Sequence, residues 1–206
     1  MNVRSRVVIG SAVLVLVGLM SSPRLSFGSD QSRAKDIIQQ TCVQCHKLEG
    51  TADSRFNLKA PDLIWAGSKY QRSWLIRWLT GKEAPLYAKG YRWDLTEVSS
   101  KHPMVTESEA NAIADYFAEH NKDPRVKVGA FDLSKVTKFE ASFGGLAYKA
   151  HACLGCHVIE ENGKLIGGPQ SASLVAAGQR YDQDWLFRFG QNPQDFVPHS
   201  GEFLAD

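Results

Sequence analysis

Cys42-Val43-Gln44-Cys45-His46 and Cys153-Leu154-Gly155-Cys156-His157 are one pattern, C-x-x-C-H, written twice, and together they use all four cysteines of a 206-residue chain. This is the spacing that attaches a c-type haem covalently. On a helical turn the two thiols stand three residues apart, so both reach the vinyl groups along one porphyrin edge. The adjacent histidine then swings beneath the ring toward the iron. Two disulfides would each close a tiny strained loop and staple nothing. A zinc site built from both pairs needs the halves to converge and leaves each histidine unexplained. A thioredoxin-like redox pair expects a strand–helix setting, which the flanking sequence lacks. The candidate cofactor residues are therefore Cys42, Cys45, Cys153 and Cys156 as attachment points and His46 and His157 as iron ligands, for two covalently attached haem c groups.

Outward from the motifs, the two halves overlay without a gap at an offset of 111 residues. Leu63 meets Leu174, Ala66-Gly67 meets Ala177-Gly178, and Lys69-Tyr70 meets Arg180-Tyr181. Trp74-Leu75 then meets Trp185-Leu186, and Arg77-Trp78 meets Arg188-Phe189. Apolar residues at i, i+1 and i+4 predict a short helix with one apolar face in each half. Ile37, Ile38 and Thr41 lead into the first motif. Phe139, Phe143, Leu146, Ala147 and Ala150 lead into the second at spacings of three and four, which predicts an amphipathic helix. Asn121 to Val136 has Pro124, Gly129, mixed charge and little periodicity, and reads as a linker. Thr106-Glu107-Ser108-Glu109 is a T-x-x-E capping box, opening a helix whose apolar face is Ala110, Ile113, Ala114 and Phe117.

On these residues the chain resembles the class I cytochrome c superfamily in a two-haem form, across nearly all of residues 32–206. The resemblance implies an all-α fold of two tandem cytochrome c-like domains. Each carries its motif at the end of an N-terminal helix, with His46 and His157 as proximal ligands. It implies a sixth ligand from a methionine on a loop before the C-terminal helix. Met104, in Lys101-His102-Pro103-Met104, stands there and is the only methionine beyond residue 28. The alternatives are a methionine filling a hydrophobic gap and His102 as the ligand instead. With His/Met ligation, which raises the reduction potential, the first haem is expected to be a high-potential carrier. The family also places a proline soon after the proximal histidine, whose carbonyl orients the imidazole. Pro61 and Pro169 sit where such a residue is expected, and both also read as turn prolines.

The second half departs from this pattern. Its equivalent of Met104 would be position 215, beyond Asp206, so the second domain is expected to be C-terminally shortened. His199 is the only histidine downstream of His157. It stands as a candidate sixth ligand, beside a partner subunit covering the open face or a five-coordinate iron. His151 is a weak acid/base candidate and otherwise a solvated helix residue. The expected organisation is a signal peptide at 1–28, domain 1 at 29–122, a linker at 123–138 and domain 2 at 139–206.

Arg4 and Arg6, the apolar run Val7–Met20, and Ser26-Phe27-Gly28 have the layout of a secretory signal peptide. An uncleaved anchor would need about 20 apolar residues, whereas this run has 14. An exported, periplasmic location is expected, with membrane contact only if the segment is retained. Cleavage removes three arginines, so the net charge falls from +2 to −1. Residues 29–128 carry 15 bases and 13 acids, and residues 129–206 carry 6 and 9. That balance excludes the basic stripe of a nucleic-acid binder. At 43% hydrophobic and 22% charged, the chain is too apolar for disorder. The expected activity is electron transfer between redox protein partners, as a free carrier or as a haem subunit of a respiratory or nitrogen/sulfur-oxidising complex. The alternatives are a di-haem peroxidase-like enzyme or a ligand-binding haem sensor using an open second haem.

Overall fold

The computed structural model describes residues 27–51, 60–83, 102–168, 171 and 173–196. These are mostly helical, in seven helices. Helix α1 (Phe27–Gln40) buries Ala34 and Ile38, one turn apart on one face. It runs through Thr41 into a tight 3₁₀ turn, Cys42–Gln44, that carries the first motif. The short helices α2 (Ala66–Lys69) and α3 (Arg72–Leu79) follow, and α4 (Glu107–His120) crosses α1, α2 and α3. The α4 face is the one its spacing predicts: Ala110, Ile113, Ala114 and Phe117 are all buried. Gly67 marks the closest crossing. A Cβ there would lie 2.0 Å from the Phe117 carbonyl oxygen, so α2 can rest on α4 only without a side chain at that point.

The capping box forms. Thr106 Oγ1 accepts from Glu109 N–H at 3.3 Å, and Glu109 Oε2 accepts from Thr106 N–H at 2.9 Å. Arg33 of α1 donates to the same carboxylate at 2.6 Å. The Thr106 amide, then the Arg33 and Thr106 side chains, hold Glu109 at about 2, against an ordinary 4.5. A carboxylate depressed in the folded state stabilises the fold above its unfolded pKa, and that contribution is lost as pH falls toward the folded value. Glu109→Gln should therefore melt lower than the wild type at pH 7. The gap should close between about 4.5 and 2, read by thermal unfolding at stepped pH.

The second half repeats the plan with differences. Helix α5 (Lys138–Ala150) opens with a second complete capping box, Thr137 with Glu140, and leads to the 3₁₀ turn Cys153–Gly155. Helices α6 (Ala177–Arg180) and α7 (Gln183–Gln191) repeat α2 and α3. Between the second motif and α6 the chain forms a hairpin of β1 (Ile159–Glu161) and β2 (Lys164–Ile166), which the all-α reading did not include. Asn162 and Gly163 turn it with φ of 53° and 74°, the left-handed pair that a type I′ turn requires.

The apolar face expected of α5 is present but uncovered among the described residues. Phe139, Phe143 and Leu146 are 79%, 63% and 64% exposed, whereas the matching face of α1 lies against α4. No helix among the described residues is long and apolar enough to cross a membrane. Residues 1–26 lie outside the described part, and α1 begins two residues inside the expected leader, within the usual scatter of helix ends.

The halves meet about a pseudo-dyad. Tyr70 and Tyr181 form an isolated antiparallel bridge. Gln71 N–H donates to Arg180 O at 2.9 Å, and Asp182 N–H donates to Lys69 O at 2.9 Å. Residues 69, 70 and 71 are the repeat partners of 180, 181 and 182, so each bond is the image of the other. This is the self-complementarity of a two-fold interface, made here within one chain.

The linker is strapped down rather than loose. Asp184 of α7 accepts from Gly129 N–H at 2.7 Å and Phe131 N–H at 2.8 Å. Arg125 pairs with the buried Asp123 at 2.6 Å. Its guanidinium also lies over the rings of Trp65 in the first half and Phe196 in the second, 5.0 and 4.6 Å from their centroids. Backbone amides that take a buried carboxylate leave little freedom to the segment that carries them. Asp184→Ala leaves both amides without their acceptor, and proteolysis at 124–136 should accelerate severalfold relative to the wild type.

Candidate haem sites

At the first motif His46 N–H and Cys45 N–H both donate to Cys42 O, which closes the turn and leaves Cys42 half-buried and Cys45 exposed. Burial pushes the Cys42 thiol up. All four cysteines are free thiols. Among the described residues no group of three or more His, Cys, Asp or Glu side chains converges as a metal cluster, so the two C-x-x-C pairs do not meet in the arrangement a shared zinc requires.

Pro61 reaches back to the motif. Its carbonyl oxygen lies 2.5 Å from His46 Nδ1. A carbonyl can only accept, so Nδ1 carries the proton and Nε2 keeps its lone pair. Burial pushes the His46 imidazole down in pKa, against the pull of that bond; the bond fixes which ring nitrogen donates. Leu63 N–H donates to Lys47 O at 2.8 Å, pinning the proline segment beside the motif. The second half makes the image of this clamp, Leu174 N–H to Val158 O at 2.9 Å. Gly167 passes so close to His157 that a Cβ would lie 2.1 Å from the His157 carbonyl oxygen. Pro169 and His199 lie outside the described residues. His151 caps the C-terminus of α5 and is exposed.

The segment before α4 places His102 near the first motif. The His102 ring centroid lies 6.2 Å from that of His46 and 5.6 Å from that of Trp78. His102 Nδ1 is buried and makes no hydrogen bond, and burial pushes this imidazole down too. Met104 is 69% exposed. Its sulfur packs over Gly81, where a Cβ would come within 2.6 Å of it. The resemblance put Met104 forward; the fold brings His102 to His46.

A file of aromatic rings lies across the dyad. Trp78, Trp74, Tyr70, Tyr181, Trp185 and Phe189 stack in one file, with successive centroids 5.5, 5.3, 5.9, 5.4 and 5.0 Å apart. The first three are the repeat images of the last three. Lys69 and Arg180, also repeat partners, lie over the rings at the centre. Within this file the indole Nε1 atoms of Trp74 and Trp185 are both buried with no hydrogen-bond partner. A buried N–H left unmatched is costly and rare, and two at equivalent positions call for a hydrogen-bond acceptor at the same place in each half. Haem carries such groups as propionates, so the orphaned donors, the paired thiols and the tautomer-locked His46 fit a haem in the first half. In the second half Trp185 and the thiols match. The offset of 111 residues was the signal that could have singled out the tryptophans.

Compared with known protein families, curated proteins and solved structures, the chain gives no match. Its own residues carry the functional argument.

Proposed function

We propose that the chain is an exported di-haem c-type cytochrome of two class I cytochrome c-like domains that passes electrons between redox protein partners. It acts as a carrier or as a haem subunit of a larger respiratory or nitrogen/sulfur-oxidising complex. The observation that carries the reading is the His46–Pro61 bond. It sits one residue beyond a C-x-x-C pair, and a metal-ligating histidine characteristically donates its other N–H to a carbonyl in this way. Bound haem would supply one-electron chemistry. The chain's part is to fix the rings and exclude water from one face of each. Cys42 and Cys45 anchor the first porphyrin and Cys153 and Cys156 the second. His46 and His157 would supply an imidazole nitrogen to each iron, and the Trp74 and Trp185 indoles would donate to acceptor groups of the haem.

The file of rings that joins the halves supports exchange between the two sites within one chain. The exposed α5 face beside Cys153 favours a more open second site, which keeps the peroxidase-like and sensor readings as alternatives. Optical spectra of the purified protein, ferric and ferrous, with and without CO and peroxide, decide among them. Two low-spin haems inert to both ligands are expected of a carrier; a second haem that binds CO or turns over peroxide overturns that role.

A further inference from the structure

We propose that His102, not Met104, is the second axial ligand of the first haem. The inference rests on the haem reading above and adds to it the ligand that sets this haem's electronic character. An imidazole nitrogen binds a transition metal at about 2.0 Å and lies about 1.2 Å from its ring centroid, so two imidazoles trans across one metal hold their centroids about 6.4 Å apart. The His46 and His102 centroids are 6.2 Å apart. Their planes meet at 61°, and the twist about a metal–nitrogen axis is free to take that value. Both rings are half-buried. Nδ1 of His102 is buried without a hydrogen-bond partner.

His102 is also held on rigid elements, as a ligand must be. Trp78 of α3 packs on one side of it. Three residues on, Val105 N–H donates to Leu79 O at 3.0 Å, and Thr106 caps α4. Met104, between those anchors, turns its sulfur onto Gly81. One iron has a single position opposite His46, so the two residues are exclusive. Methionine opposite histidine raises the potential of a c-type haem. A bis-histidine first haem therefore lies at lower potential than the motif-based reading expects.

The test uses the full haem-loaded chain. Met104 is the only methionine beyond residue 28, so the far-red sulfur-to-iron charge-transfer band of the ferric protein reports on that residue alone. The band should be absent, and Met104→Ala should leave the spectrum and potentials as they were. His102→Ala should convert one haem to high spin, about half of the total, and open it to CO, since histidine and not methionine closes that iron. Added imidazole should restore the low-spin form. His102→Met offers a second arm if the alanine variant folds poorly, and should create the far-red band and raise one potential. A far-red band in the wild type that vanishes in Met104→Ala overturns the assignment while leaving the haem reading intact. A purified chain with no covalent haem on a denaturing gel overturns the haem reading and this assignment with it.

Discussion

Replacing Cys42 and Cys45 by alanine should halve the covalently bound haem, from two per chain to one. Thioether attachment needs a thiol at each vinyl group, and the two motifs lie in separate halves, each with its own turn. Loss of the first pair leaves Cys153 and Cys156 unaffected. His46 and its Pro61 bond remain, so a haem can still dock at the first site, but it will dissociate when the chain is denatured. Pyridine haemochrome content and the mass of the denatured protein read the number directly. Cys153→Ala with Cys156→Ala should give the complementary halving. The paired result separates haem attachment from a role in redox exchange or zinc binding, because neither alters the count of covalent porphyrins. Two haems retained after the double substitution, or none in the wild type, would defeat the reading.

Gly67→Ala should be strongly destabilising, whereas the same change at its repeat partner, Gly178→Ala, should be neutral or mildly stabilising. At Gly67 the new methyl would lie 2.0 and 2.5 Å from the Phe117 carbonyl oxygen and carbon and 2.9 Å from Ala118 Cα. These are backbone atoms of α4, which cannot rotate away, so α2 must lift off the helix it packs on. Overpacking of this kind costs about 1–3 kcal/mol, and more where the neighbours are rigid. Lifting α2 also strains the bond from Gly67 N–H to Asn121 O, 3.1 Å long. At Gly178 no described atom lies within 4 Å of the added methyl. There the preference for alanine over glycine in a helix, at most about 1 kcal/mol, is the only term acting. Urea unfolding of the two variants measures the contrast. Equal losses would mean that the α2–α4 crossing does not distinguish the halves.

That contrast also marks how far the chain could be read from its letters. The α4 helix was legible to the residue, because a capping box and a four-residue apolar spacing are both local. The turns bearing the motifs were legible for the same reason. Two local signals were present and passed over: Asn162-Gly163 between short apolar runs, which turns the hairpin, and Thr137-x-x-Glu140, which opens α5. The apolar face of α5 was legible as a pattern, but periodicity says only that a face wants cover. Pro61 was expected beside His46 by resemblance, and the bond between them is present in the structure. Met104 was put forward by the resemblance, from its place before α4, which carries no information on where its side chain points.

The sequence by itself determined what is covalent and what is periodic: two C-x-x-C-H motifs, a duplication at an offset of 111 residues, and amphipathic helices with their caps. Each of these is a relation among residues a few positions apart, or an identity between two such stretches. Only the tertiary structure decided that the duplicated segments face one another about a dyad, and that Trp74 and Trp185 are left with buried unpaired donors. It alone strapped the linker to α7 and set His102 beside His46. The physical reason is that these depend on which surfaces are buried together once the chain has closed long loops. The free energy of that burial is summed over many contacts and is written in no single stretch of sequence.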